Sequence, residues 1–189
     1  MKKALLIACV LLIAVVSTAC INNMAVQELN NKAAEYMQKG DYVSAMNRLQ
    51  ASIDLDSTIY ETYYNLGIAA TNAKKYDVAL DAFEKGMKLK VDYPNFYYSL
   101  AVAQSSYADE LVETTIYDPE KEETVEHKVT EEDKLKASDL KKQAVMNLAK
   151  YLELSPQAED KKDVEELIEA CQNFGKDNDN TKANPETEE

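Results

Sequence analysis

An all-α fold built from repeated helix pairs is what this sequence predicts, and three observations carry that reading. The chain matches itself at a spacing of 34 residues, the length at which two antiparallel helices and their turns make one stackable unit. Leu29-x3-Ala33-x6-Gly40-x-Tyr42-x2-Ala45-x3-Leu49-x5-Leu55 recurs as Tyr63-x3-Gly67-x6-Lys74-x-Tyr76-x2-Ala79-x3-Phe83-x5-Leu89. Pro94 opens a third copy, in which Tyr97, Leu100 and Ala101 take the places of Tyr63, Leu66 and Gly67. Finally, Val164, Leu167, Ile168 and Cys171 form one apolar stripe at helical spacing, with Lys and Glu elsewhere. Such a one-sided helix suits the end of an array, whose last repeat would otherwise leave an apolar face in water.

The elements follow in chain order. Lys2 and Lys3 precede an apolar run from Ala4 to Val16, and the small residues Ser17-Thr18-Ala19 precede Cys20. The run is shorter than the ~20 residues of a membrane span, so 1–19 reads as an export signal that is removed. Ser-Thr-Ala-Cys resembles the bacterial lipobox, with Ser17 where Leu is usual. That resemblance implies lipidation of Cys20, a short linker over 20–25, and a protein anchored by lipid to the exported side of a bacterial membrane. Ile21 follows the cysteine, rather than the Asp that retains enteric lipoproteins in the inner membrane. The periplasmic face of the outer membrane is therefore the expectation where the source has two membranes. Cys171 is then the one thiol left to the folded part, so no internal disulfide can form and the core must hold the domain alone.

The folded domain is expected over 26–174. Its first two units, about 26–59 and 60–93, carry a large residue, a small Gly or Ala, a Tyr after the turn, then Ala and a large apolar residue. These residues resemble tetratricopeptide repeats. The resemblance implies a short right-handed superhelix of antiparallel helix pairs, in which the first helices line a concave, peptide-binding groove. Thr58-x-x-Glu61 reads as a capping box opening the second unit.

The third unit, 94–158, is split. Ala101 to Ala144 spans 43 positions where the first two units have 12, so 31 extra residues, assigned to 108–138, interrupt it. They hold eleven carboxylates and four lysines. Glu113–Tyr117 and Thr124–Val129 alternate polar with β-branched or aromatic residues around Asp118-Pro119-Glu120-Lys121. A β-hairpin fits this pattern, and so does a solvated acidic loop, because a lone hairpin is marginal in water. An ordered hairpin would offer edge strands to a partner or to a second copy of the chain, with Tyr117 as a contact. Ser155-Pro156 reads as the N-cap and first residue of a closing helix over 157–174. From 175 to 189 the chain is polar apart from Ala183, and an acidic disordered tail is expected.

Chemistry is sparse. His127 is the single histidine and falls in the insertion, where it lacks a second histidine or a cysteine pair to complete a metal site. Four glycines form no phosphate-cradling loop, and the acidic run lacks the alternating Asp/Asn ligands and mid-loop Gly of a hand-type calcium site. The expectation is no catalytic residue, no metal and no cofactor. The formal charge of −13, or −15 once Lys2 and Lys3 leave, argues against nucleic acid and against an anionic membrane surface as partner.

Carried over by register, the family's inner face comprises Gln27, Asn30, Ala34, Met37 and Gln38, then Glu61, Tyr64, Ile68, Thr71 and Asn72. The third unit adds Asn95, Tyr98, Val102, Ser105 and Ser106. Apart from Glu61 it is uncharged, and the basic clamp that some family members use on a peptide carboxylate is missing. Amides, hydroxyls and tyrosines suit contact with a peptide backbone; a simply solvated face fits the same residues. Asn30, Tyr64, Asn72 and Tyr98 are the expected partner contacts, while Tyr36, Tyr42, Tyr63, Tyr76, Tyr97 and Tyr151 fall at packing positions. The function expected is a non-catalytic, membrane-tethered scaffold or assembly adaptor of the cell envelope. A self-associating structural lipoprotein without a peptide ligand, homodimeric through the insertion, stands as the alternative.

Overall fold

Helix pairs form where the small residues of the repeat let two backbones approach. The computed structural model describes residues 23–118, 123–126 and 128–175, and within them seven helices and one two-stranded ribbon. The signal at 1–19, Cys20, His127 and the tail at 176–189 lie outside the described residues. The chain divides into two units, the first ending at Val91 and the second beginning at Asp92. Among the described residues no helix is long and apolar enough to cross a membrane.

The first unit holds α1 (residues 23–38), α2 (Tyr42–Leu55), α3 (Tyr60–Asn72) and α4 (Tyr76–Leu89). Residues 23–25, expected as part of the linker, are helical. Ala33, Ala45, Leu49, Leu66, Ala69 and Ala82 form one buried cluster across the four helices. Four of these six are alanines, which is what close crossing of helices requires. Gly67 is the tightest point: a Cβ there would overlap the ring of Phe83, itself wholly buried.

Both repeat turns use the same hydrogen-bond pattern. Gly40 N donates to Met37 O and Asp41 N to Tyr36 O, while Lys74 N donates to Thr71 O and Lys75 N to Ala70 O. This paired closure needs a left-handed residue after the helix end. Gly40 supplies it at φ 75° and Lys74 at φ 55°, the one non-glycine residue with positive φ among the described residues. Asp41 then caps α2 by accepting from Ser44 N at 3.0 Å. The capping box expected at Thr58 and Glu61 is not formed. Asp56 captures Thr58 instead, accepting from its amide at 2.9 Å and its hydroxyl at 2.6 Å, and α3 starts after Ile59 without a side-chain cap.

The second unit holds α5 (Pro94–Leu111), strands β1 (Thr115–Asp118) and β2 (Glu123–Glu126), α6 (Glu131–Leu154) and α7 (Lys161–Asn173). Much of the expected insertion is helix. By repeat register α5 would end at 106 and α6 begin at 141, so α5 runs five residues further and α6 starts ten residues sooner. The extra residues are thus helical at both ends, with the ribbon between them over 112–130. A capping box that the acidic run concealed starts α6: Thr130 Oγ1 accepts from Asp133 N at 3.1 Å, and Asp133 accepts from Thr130 N at 2.9 Å.

The hairpin alternative is the one formed. The strands pair antiparallel with Ile116 opposite Val125 and Tyr117 opposite Thr124, each four residues long and shorter than the alternating segments suggest. The turn expected at Asp118–Lys121 is described only at Asp118. Ser155-Pro156 does not open the last helix. Ser155 N bonds to Tyr151 O and so closes α6, a turn from Ser155 O to Ala158 N follows, and α7 begins after Asp160. Val164 and Cys171 are buried and Leu167 and Ile168 half-buried, so the predicted stripe is the packed face of α7.

Candidate functional site

Helices α1 and α3 carry the inner-face positions of the first unit. Asn30 turns into the helix bundle. Its Nδ2 donates to Ser52 Oγ at 3.1 Å and to Thr62 Oγ1 at 3.3 Å, tying α1 to α2 and α3. Ser52 and Thr62 are buried, and the three groups satisfy one another where an unpaired hydroxyl would be costly. Asn30 is thus occupied by packing at its amide. Asn72 is exposed, its Nδ2 returning to Ile68 O at 2.8 Å. Tyr64 is half-buried, tilted on Phe83 at a centroid distance of 6.2 Å.

Beside Asn30 lies a recess of about 260 Å³, floored by Ala33 and Leu49 and walled by Ala34, Met37, Gln38 and Asn65. No charged side chain lines it. The amides of Gln38 and Asn65 have no partner among the described residues. Asn65 is missing from the expected contacts because the register places it one residue beyond Tyr64. Its position against α1 is a tertiary fact that no repeat pattern prints.

In the second unit Tyr98 packs on Tyr151 at 5.4 Å, and Tyr151 donates its hydroxyl to Asp160 Oδ1 at 2.8 Å. Burial above all, then the bond to Asp160 and the charges of Asp160 and Tyr98, push the Tyr151 hydroxyl up to about 12. Ser105, expected on the inner face, is buried instead, accepting from Lys141 Nζ at 2.8 Å. A chain of amides runs between the helices: Asn147 Nδ2 donates to Gln104 Oε1 at 2.9 Å, Gln104 Nε2 to Gln143 Oε1 at 3.0 Å, and Gln143 Nε2 to Asp139 at 2.6 Å. Gln104 is buried, so this chain satisfies what would otherwise be an isolated amide. Tyr117 stands in β1 opposite Thr124, apart from the other expected contacts in sequence and in element. Among the described residues no three His, Cys, Asp or Glu side chains are grouped to hold a metal ion.

No family model matches the chain. A tetratricopeptide-repeat-containing protein of Schizosaccharomyces pombe is 38% identical over 50 residues, 26% of this chain, and the match spans 6% of that protein's length. Several solved structures are similar over most of the chain, two of which illustrate the likeness. The second tetratricopeptide domain of human RPAP3, solved with an HSP70 peptide, gives a TM-score of 0.58 at 12% identity and covers 80% of this chain and 98% of that one. The Yersinia enterocolitica type III secretion chaperone SycD, in complex with a peptide of the translocator YopD, gives 0.55 at 19% identity, covering 77% and 91%. The fold is that of the tetratricopeptide repeat. Of the residues expected on the inner face of α1 and α3 only Glu61 is charged, and Asn30, Ala34, Met37 and Gln38 among them line the recess.

Proposed function

We propose that this chain is a non-catalytic, membrane-tethered adaptor of the bacterial cell envelope that holds a peptide or protein partner on its tetratricopeptide helices. The observation that carries the reading is the recess beside Asn30, where an apolar floor lies next to the unengaged amides of Gln38 and Asn65. An apolar side chain flanked by backbone amides is what such a surface complements. RPAP3 and SycD, both solved with peptides, support the class of ligand. With no cation lining the recess, the preferred segment is uncharged rather than a carboxylate terminus.

The tether rests on Cys20 and the small residues before it. Cys20→Ser should release the protein from the membrane fraction or stall it as a precursor; unchanged fractionation would refute the anchor. Where the source has two membranes, the periplasmic face of the outer membrane is the proposed location. In-cell crosslinking from photoreactive residues at Tyr64 and Tyr98 tests the partner. Both should trap the same protein, and Ala34→Arg, which fills the recess, should abolish capture from Tyr64.

A second reading draws on the ribbon. β1 and β2 pair only with each other among the described residues, so each has an outer edge. Such edges can add a strand from a second copy. Sedimentation decides: a dilute monomer fits the adaptor, and a stable dimer lost on deleting 113–129 replaces it with self-association.

A further inference from the structure

The second unit holds a larger recess, about 460 Å³, that the adaptor reading does not use. Helix α6 contributes Ser138, Lys141, Lys142 and Val145 to it, and the end of α7 contributes Cys171, Gln172 and Phe174. In a chain with 34 acidic and 21 basic residues, this lining contains two lysines and no carboxylate. Lys141 occupies the repeat position of Tyr42 and Tyr76, so a charged group replaces a neutral aromatic there. Its side chain is 9% exposed. An ammonium has three donors. Ser105 Oγ at 2.8 Å and Asp109 Oδ1 at 2.7 Å take two, and the Phe174 ring lies 5.1 Å from Nζ. Phe174 sits at the end of α7 and is half-buried. Ser138, Lys142 and Gln172 have no side-chain partner among the described residues.

We infer that this recess binds a small organic carboxylate with an apolar tail. The carboxylate takes the free donors of Lys142 and Ser138 and the remaining donor of Lys141, and the tail lies against Val145, Cys171 and Phe174. Charge-assisted bonds from the two ammonium groups are roughly twice as strong as neutral ones, and Lys142 has no carboxylate partner among the described residues to share its charge. A neutral ligand leaves that donor on the ring and gains only the apolar contact.

Calorimetric titration of the full chain with sodium hexanoate tests this, with hexanol and acetate as comparison probes. Hexanoate should saturate in the millimolar range, and hexanol should bind roughly tenfold more weakly or not at all. Lys142→Gln combined with Ser138→Ala alters only exposed and half-buried groups, and should weaken hexanoate by about tenfold with an unchanged circular dichroism spectrum. Phe174→Ala should erase the advantage of hexanoate over acetate. The inference is overturned by absence of saturation, by hexanol binding as well as hexanoate, or by equal hexanoate affinity in the wild type and the Lys142/Ser138 variant.

Discussion

A methyl group at position 67 would overlap the Phe83 ring, and that ring is enclosed on all sides. We expect Gly67→Ala to cost about 1–3 kcal/mol, read as a lower urea midpoint at unchanged slope. The other repeats carry Ala33 with Leu49 and Ala101 with Leu148 at the same places. Phe83→Leu should therefore restore most of the loss when added to Gly67→Ala, and a double variant less stable than either single one would contradict this account. At the turns, Lys74 holds the left-handed conformation that Gly40 adopts freely, so Lys74→Gly should gain about 1 kcal/mol. Tyr151 supplies a pH test. Its hydroxyl is raised from 10.0 to about 12 in the folded state, so folding favours the protonated form. That contribution is complete below about 10 and is lost as pH rises through about 12. Tyr151→Phe should flatten the fall in stability over this alkaline window, measured by denaturant titration at each pH.

The elements differ in how far the amino-acid pattern reveals them. Helices α2 to α5 were legible because each crossing needs a small residue at one place and a large one four or more positions on, and the 34-residue register repeats that demand. The extension of α6 was not. Of its first ten residues only Ala137 and Leu140 are buried, while Leu135 is 72% exposed, so no apolar stripe marks it and the Thr/Val alternation nearby points to strand. Thr130 and Asp133 carried the missed signal, a capping box with Asp in place of Glu. Thr130→Ala should cost about 0.5–2 kcal/mol and speed amide exchange in residues 131–136. What the register cannot print is engagement: Asn30 reads as a ligand contact until Ser52 and Thr62, from two other helices, are seen to occupy its amide, and Ser105 until it is found buried against Lys141.

For the whole chain, a formal charge of −13 sets the sign of its response to salt. The ion pairs within helices, such as Lys32 with Glu28 and Lys85 with Asp81, are exposed, and salt weakens them. Self-repulsion among the excess carboxylates is weakened too. With the acidic residues outnumbering the basic, repulsion dominates, and the thermal midpoint should rise between about 10 and about 150 mM NaCl; a fall would show that the pairs matter more.

Helices α5 and α6 lengthen side by side before the ribbon begins, which carries the start of α6 about 15 Å beyond the point where the other repeats turn. Lys136 with Tyr107 binds that stretch together, and Lys141 with Asp109 and Gln104 with Gln143 bind the two helices at its base. Such an arrangement amounts to a socket. Exchanging the segment between Leu111 and Glu131 for an epitope or a tag should leave every packing position of the repeats in register, read as an unchanged urea midpoint.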